Sequence, residues 1–510
     1  MERLSGLDAG FSSFESPTTH LHIVAALIFD AEHSRGGVTF RRIRNVLAER
    51  IDLVPAFRMR LVEVPFGVDH PSLVEDAQFD LDYHVRRAAI PSPGGRDELA
   101  AFVADVASRP LDRRRPLWEF HVVEGLEREH VALVTKVHHS IIDGVSGAEL
   151  VAGLFDLSAD PSPLPLFGGA RARRSAPAEA AATGEDDPEE PGVATGADDR
   201  NGGAGVLPSE LARWRQAICS LPGQIDAVRR AMTGTVQTAR QLGPLRRDQA
   251  SAAPVPFKAP RTSINRAISP HRRSSFGELP LADIRQVRQI LGGTTNDVVL
   301  ACAAGAFREF FATRSEQVDG PLVAMVPVSV RTEGEEGVLG NRISATLVSL
   351  ATDLEGPAAR LEAIRTGMAA SKEQCETIGP SLFTAWADAA VPAVTSRLSR
   401  LLTNLRVFDR MGPPFNVIVS NVPGPDFPLY LAGARLVGIY PFGPIVEGVG
   451  VNITVFSYLD TVHVGVLGCW DQVREVEVIA KSMQVCLDEL VAEAVRRDRP
   501  IPWWHSELPA

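Results

Sequence analysis

Residues 158 to 206 are rich in Pro, Gly, Ala and acidic side chains and almost empty of aromatics. A stretch of that composition cannot bury enough apolar surface to offset the entropy of ordering it, and it reads as a disordered linker. Whatever folds must therefore fold on either side of it. With 510 residues and 45% hydrophobic content, the chain is long enough for two cores of ordinary domain size. Upstream, Val131 to Val137 is β-branched and apolar, and it predicts a strand broken by Asp143-Gly144. Downstream, Leu322 to Val330, Asn416 to Ser420, Val451 to Tyr458 and Val462 to Leu467 predict strands, while Leu281 to Leu291, Asn296 to Phe311 and Val473 to Arg496 predict helices. No internal repeat is evident. Two α/β (α+β) layers sharing a cleft form the simplest architecture.

The net charge of −11 is misleading until it is localised, because residues 179 to 199 hold Glu179, Glu185, Asp186, Asp187, Glu189, Glu190, Asp198 and Asp199 with no Lys or Arg, and leave only −3 on the chain outside that span. Residues 207 to 250 are locally +4: Arg213, Arg215, Arg229, Arg230, Arg240, Arg246 and Arg247 outweigh Glu210, Asp226 and Asp248. Leu211, Trp214, Ile218, Leu221, Ile225 and Val228 recur there at near-helical spacing. Two readings stay open: a basic amphipathic helix on a lipid surface, or a crossover helix between two domains with a solvated Arg face, the commoner kind. The chain divides accordingly into 1–157, the linker 158–206, a basic helical region 207–257, and 258–510.

Cys219, Cys302, Cys375, Cys469 and Cys486 are odd in number and have no C-x-x-C spacing, which argues against a disulfide framework or a zinc site and for a reducing cytoplasm. No basic region followed by an apolar core opens the chain, and no run approaches the roughly 18 apolar residues that span a bilayer.

The chemistry concentrates in Val137-His138-His139-Ser140-Ile141-Ile142-Asp143-Gly144. Adjacent imidazoles end an apolar strand, and Ser146 and Glu149 form a capping box ahead of Leu150, Val151, Leu154 and Phe155, so a helix follows. Successive strand side chains point to opposite faces, so one histidine faces any given cavity and the other is structural. The group could serve as a base, a metal site or a triad. A metal fits poorly, since the spacing is not the helical i, i+4 that aims two ligands at one ion.

His138-His139-x-x-x-Asp143-Gly144 resembles the HHxxxDG motif of the chloramphenicol acetyltransferase-like superfamily, which includes carnitine acyltransferases and peptide-synthetase condensation domains. Pro116-Leu117-Trp118, Thr295-Asn296-Asp297-Val298-Val299-Leu300-Ala301, Val326-Pro327-Val328-Ser329-Val330-Arg331, Gly340-Asn341-Arg342 and Ser420-Asn421-Val422-Pro423-Gly424-Pro425 resemble, in similar order, blocks of the bacterial wax ester synthase/diacylglycerol acyltransferase family. Leu4-Ser5-Gly6-Leu7-Asp8 and Thr262-Ser263-Ile264-Asn265 do so as well. The resemblance implies two chloramphenicol acetyltransferase-like domains, each a mixed sheet with helices, with the active site in a tunnel between them. It implies acyl transfer from acyl-coenzyme A to diacylglycerol or a long-chain alcohol, with no tightly bound cofactor and no metal. Apolar substrates, with the basic stretches at 207–250 and 397–410, imply a cytoplasmic enzyme in peripheral contact with the inner membrane face or lipid inclusions. No nucleic-acid partner is expected, and self-association as a homodimer is left open.

By position in the motif His139 is the general base, later returning its proton to the coenzyme A thiolate, and such catalysis contributes roughly 10²- to 10⁴-fold. No G-x-S-x-G elbow stands out and no Cys lies beside the motif, so direct transfer in a ternary complex is expected. His138 positions its neighbour. Asp143 could orient the imidazole as in a triad, but the resemblance implies an ion pair that shapes the site beside Gly144, with Arg331 as the candidate partner. Asn296 opens an apolar helix, where Asn is most often an N-cap; with the helix N-terminus it would also suit a developing oxyanion, Asp297 supporting the turn. Pro116, Leu117 and Trp118 read as packing or as shaping the cleft. Ser420, Asn421, Pro423 and Gly424 read as a rigid turn shaping the tunnel, Pro fixing φ and Gly permitting positive φ. Two other readings are a non-catalytic neutral-lipid-binding or lipid-droplet protein on the same fold, and a condensation-type amide or ester synthase, although no carrier-protein domain accompanies the chain.

Overall fold

The apolar run ahead of the paired histidines is a strand in the computed structural model, which describes residues 2–4, 6–32, 34, 37–64, 70–141, 153–160, 254, 257–329, 343–378 and 412–498. Asp143, Gly144, the helix expected from Ser146, nearly all of 158–257, Arg331, Gly340 to Arg342 and the basic stretch 397–410 lie outside the described residues.

In chain order the first half supplies β1 (Glu2–Arg3), α1 (Gly6–Phe14), β2 (His22–Asp30), α2 (Phe40–Arg50), β3 (Met59–Val62), β4 (Ser72–Glu75), α3 (Leu81–His84), β5 (Val85–Ala89), α4 (Arg96–Ser108), β6 (Trp118–Glu124) and β7 (Val131–His138). The second supplies β8 (Arg272–Pro280), α5 (Leu281–Leu291), α6 (Thr295–Thr313), β9 (Val323–Ser329), β10 (Ile343–Ser349), α7 (Pro357–Ile378), β11 (Val417–Val422), β12 (Tyr430–Leu431), β13 (Ala434–Phe442), β14 (Val451–Tyr458), β15 (Thr461–Cys469) and α8 (Val476–Asp498).

Two six-stranded mixed sheets dominate, in the orders β12-β13-β2-β7-β6-β5 and β10-β9-β11-β14-β15-β8, beside a small sheet β1-β4-β3. The first sheet draws its strands from both halves of the chain. The boundary at 257/258 divides the polypeptide but not the sheets, because β12 and β13 come from the second half and β13 pairs antiparallel with β2. The reason is burial: Ala434 and Leu436 pack into the first core, and Tyr440 and Phe442 into the junction between the sheets. In the other direction α4 of the first half lies on β8 of the second, with Ser274 Oγ donating to the Ala100 carbonyl at 2.7 Å and the Arg272 N–H to Ser108 Oγ at 2.9 Å.

Behind the second sheet, α6 is buried on every side from Asp297 to Phe307, as expected of a helix apolar all round. Its small residues let α8 approach closely: a Cβ at Gly305 would lie 2.2 Å from Cys486 Sγ, so only glycine fits there. Among the described residues no single helix is long and apolar enough to cross a membrane, and α5 with α6 passes that test only as a pair bent by 102°. Cys302, Cys469 and Cys486 are free, buried thiols.

Candidate active site

The two histidines leave the end of β7 on different faces. Lys136, two residues before His138 and hence on the same face, reaches across to donate to the Arg109 carbonyl just past α4 at 2.7 Å, whereas Val137 packs into the first core. His138 follows the α4 side and is buried; His139, one residue beyond the strand, is half-buried and lies with its ring on Phe11 of α1. Backbone bonds pin the corner, His138 N–H to the Leu117 carbonyl at 3.0 Å and His139 N–H to the Leu21 carbonyl at 2.9 Å.

His138 is locked in one tautomer. Its Nδ1 accepts the Ser140 backbone N–H at 3.1 Å and lies 2.7 Å from Ser140 Oγ, so the neutral ring carries its proton on Nε2. Nε2 lies 3.9 Å from Glu15 Oε2, beyond hydrogen-bond reach. Burial, reinforced by the Arg113 and His139 charges, lowers the His138 imidazole to about 3, so it is neutral at any ordinary pH.

The surroundings of His138 form a buried polar floor that sequence reasoning missed. Arg113 donates to Glu15 at 2.5 Å and to Ser12 Oγ at 2.6 Å, tying α1 to the loop before β6. Burial raises the Glu15 carboxyl despite the opposing pull of Arg113. Directly across the β2–β7 register from His138 is His22, whose Nε2 lies 3.0 Å from the Ala107 carbonyl and whose ring stacks near His20 at 5.6 Å. Burial holds His22 well below the ordinary histidine range and His20 at about 4, with Arg272 and Lys136 also pushing His20 down. Lys136 itself falls to about 8 through burial, partly offset by Glu119 opposite it on β6. Lys136 and His22 thus hold two carbonyls at the C-terminal end of α4, where the helix dipole favours donors. A signal was present for the lysine: a lone cation inside a strand otherwise buried. The contacts of Phe11 and Glu15 with the histidines had only the helical spacing 8, 11, 12, 15 to announce them.

Pro116-Leu117-Trp118 supports this corner from the core. Leu117 is buried and gives its carbonyl to His138; Trp118 is fully buried, donates its indole N–H to the Phe57 carbonyl at 2.8 Å, and stacks on His84 at 4.4 Å and Phe57 at 4.8 Å.

The second-half motifs divide between the two faces of their sheet. Val417, Val419, Val451, Ile453 and Val455 point into the core shared with α5, α6 and α8. Their alternates face the first half: Thr454 Oγ1 accepts the Gly443 N–H at 3.2 Å and Asn452 donates to the Pro444 carbonyl at 2.9 Å. Ser420, in register with Thr454, shares this front face, and Asn421 alternates to the helix side. Gly424 has no positive φ, contrary to expectation; it is required because a Cβ would lie 2.1 Å from the Ser457 carbonyl oxygen and 2.2 Å from the Phe456 ring.

Asn296 is the second residue of α6 and is not the N-cap. Thr294 caps the helix, and Asp297, buried, completes the capping box: Thr294 N–H and Oγ–H donate to its carboxylate at 2.8 and 2.9 Å, and Asp297 N–H donates to Thr294 Oγ1 at 3.2 Å. Asn296 is half-buried in the first turn of α6, whose body packs against the helix-side face of the second sheet. Among the described residues no group of three or more His, Cys, Asp or Glu is placed to hold a metal ion.

Comparison with known proteins agrees with this architecture. The sequence profile of the wax ester synthase/diacylglycerol acyltransferase catalytic domain matches residues 4–299, and that of the WS/DGAT C-terminal domain matches residues 339–491. Two Mycobacterium tuberculosis proteins, provisionally named diacylglycerol O-acyltransferases, are each 34% identical, one over 494 residues (96% of this chain, 90% of its own length) and the other over 493 (96% and 99%). The solved wax ester synthase/diacylglycerol acyltransferase of Marinobacter aquaeolei VT8 superposes with a TM-score of 0.66 at 27% identity, covering 97% of this chain and all of that one. The first condensation domain of the CDA synthetase, 15% identical with a TM-score of 0.53, shares the fold. A catalytic-domain match spanning the paired histidines and more than half the chain, on two interlocked mixed sheets, makes this protein a member of the wax ester synthase/diacylglycerol acyltransferase family of acyltransferases.

Proposed function

We propose that this protein moves a long-chain acyl group from acyl-coenzyme A to the free hydroxyl of diacylglycerol, giving triacylglycerol, and that a long-chain alcohol serves as a second acceptor, giving a wax ester. The observation that carries the reading is the division of labour at the end of β7: one imidazole buried, neutral and locked by Ser140, its neighbour half-buried in front of it.

In this reading the neutral His139 ring takes the acceptor's proton as the hydroxyl oxygen attacks the thioester carbonyl. A C–O bond forms, the tetrahedral intermediate collapses with loss of the C–S bond, and the imidazolium returns its proton to the coenzyme A thiolate. Acyl-coenzyme A and acceptor are consumed, ester and coenzyme A are released, and no covalent acyl-enzyme or further cofactor takes part. His138 positions the corner through its bonds to Leu117 and Ser140. We assign Asp143, beside Gly144, a shaping ion pair with Arg331, and Ser420 a place on the tunnel wall. Contact with a lipid surface, through the basic stretches 207–250 and 397–410, brings the enzyme to its apolar acceptors; absence of liposome co-sedimentation at low salt removes that part of the proposal.

Incubating the protein with labelled palmitoyl-coenzyme A and diacylglycerol or hexadecanol, alone and in competition, tests the assignment. Labelled triacylglycerol or wax ester made by wild type and lost in His139→Ala is the expected result. No labelled ester from wild type, or equal ester from His139→Ala, defeats it.

A further inference from the structure

The ring of Phe11 lies on the imidazole of His139, with centroids 4.2 Å apart and planes 22° from parallel. We propose that Phe11 is a positioning residue of the acyl-transfer site, setting both the orientation and the proton affinity of His139. The inference rests on His139 being the base.

Two physical arguments support it. A stack engages the face of the imidazole rather than its edge, where both nitrogens lie. Phe11 is itself held, because Arg113 of the loop before β6 fastens the end of α1, donating to Ser12 Oγ and to Glu15 just past the helix. The platform therefore fixes the ring plane of a residue just past the end of its strand, where side-chain freedom is otherwise greatest. The second argument is electrostatic. The face of a benzene ring is negative and attracts an imidazolium more than a neutral imidazole. Imidazolium is the form His139 takes once the acceptor's proton has moved, so the stack strengthens as the reaction proceeds, and an interaction that strengthens along the reaction accelerates it.

Charged and titratable groups around the pair come from every neighbouring element. On α1, Asp8 lies one turn before Phe11 on the same helix face, and Glu15 follows just past the helix end. The loop before β6 supplies Arg113; β7 supplies Lys136 and the neutral His138; β2 supplies His22, also neutral. Replacing Phe11 leaves all of them in place, so a change in His139 reads the ring alone.

The test is a titration of ring-labelled histidine by NMR in the full-length protein, with the His139 signal assigned by its loss in His139→Ala. Phe11→Leu removes the ring, pentafluorophenylalanine at position 11 keeps the shape but reverses the face potential, and Phe11→Trp keeps an electron-rich face. The His139 midpoint should fall by roughly half a pH unit in Phe11→Leu, fall at least as far with the fluorinated ring, and return to or above the wild-type value in Phe11→Trp. The acid limb of kcat/KM for palmitoyl-coenzyme A and diacylglycerol should shift with it, and kcat should fall more than KM rises. An unchanged midpoint in both the leucine and fluorinated variants overturns the proposal whatever happens to activity. If Phe11→Leu does not fold, the fluorinated protein, equal in shape, decides. An inactive wild type overturns the acyl-transfer reading, and the NMR midpoint still decides the stack.

Discussion

Two corners of the molecule carry polar motifs of similar promise, His138-His139 at the end of β7 and Thr294-Thr295-Asn296-Asp297 at the start of α6, and they use their polar groups differently. At α6 the polar atoms serve the backbone beside them: Thr294 and Asp297 hold each other in a capping box, and the helix behind them is core on every side. At β7 the side-chain bond is local too, Ser140 to His138 Nδ1, but the corner also meets distant residues: the His138 N–H donates to the Leu117 carbonyl, Nε2 comes within 3.9 Å of Glu15 just past α1, His22 of β2 pairs in register, and Phe11 of α1 lies on His139. A capping box is explained by the helix it starts. A corner on which residues from separate parts of the chain converge is not explained by the strand it ends.

The largest expected effect tests the first corner. His139→Ala should lower ester formation by roughly 10²- to 10⁴-fold, the range for loss of a general base, with its thermal melt close to wild type because the side chain is only half-buried. Ser140→Ala should cost far less, since the backbone N–H of residue 140 still holds His138 Nδ1. Comparable losses in the two variants would show that the corner works as one rigid unit rather than through one base.

Acid should separate the corners next. A histidine unfolded near 6.5 and folded at about 4 for His20, or about 3 for His138, binds its proton more readily in the unfolded chain throughout the interval between. Stability contributed by the neutral buried ring is therefore complete above about pH 6.5 and drains away as pH falls. By pH 4 each of these two groups has withdrawn ~3 kcal/mol, and His22 and His463 act in the same direction. Urea midpoints should drop steeply between pH 6.5 and 4.5. His20→Leu should flatten that slope, and an unflattened slope would locate the acid sensitivity elsewhere. The capping box at α6 contains no histidine.

Much of this architecture was legible in the sequence, for identifiable reasons. The strand Val131 to Val137 is found as Val131–His138, and Leu281–Leu291 and Val451–Tyr458 are found with the boundaries expected, because their apolar periodicity and their breakers are local signals. The exchange of β13 into the first sheet was not legible. Gly438 and Pro441 interrupt that run, and the structure absorbs the first in a register shift between Leu436 and Gly438 and sets the second opposite Ala25 of β2. A pairing partner four hundred residues away leaves no trace in a local window. The same limit hid the role of α1: Phe11 shares a helix face with Asp8, and Glu15 follows just past the helix, but nothing in that pattern names the histidines it meets.

A smaller effect measures the cap itself. Thr294→Ala removes the acceptor for Asp297 N–H and one donor to its buried carboxylate, so it should destabilise by ~1 kcal/mol, with turnover per folded molecule unchanged. A loss of turnover without loss of stability would tie α6 to the reaction in a way its burial does not suggest.

The smallest expected effect discriminates most sharply between the corners. Asn296 was the strongest oxyanion candidate on sequence grounds, and removing such a donor typically costs about 10²- to 10³-fold in turnover. Yet its cap is made by Thr294 and Asp297, and the helix that carries it packs on the face of the second sheet turned away from the first half, whereas Ser420 and Thr454 occupy the face turned toward it. Asn296→Ala should therefore leave kcat and KM for palmitoyl-coenzyme A and diacylglycerol near wild type. A hundredfold fall in kcat, with the melt unchanged, would mean that the N-terminus of α6 reaches the reacting carbonyl after all. The division of the second sheet into a chemical front and a structural back would then have to be abandoned.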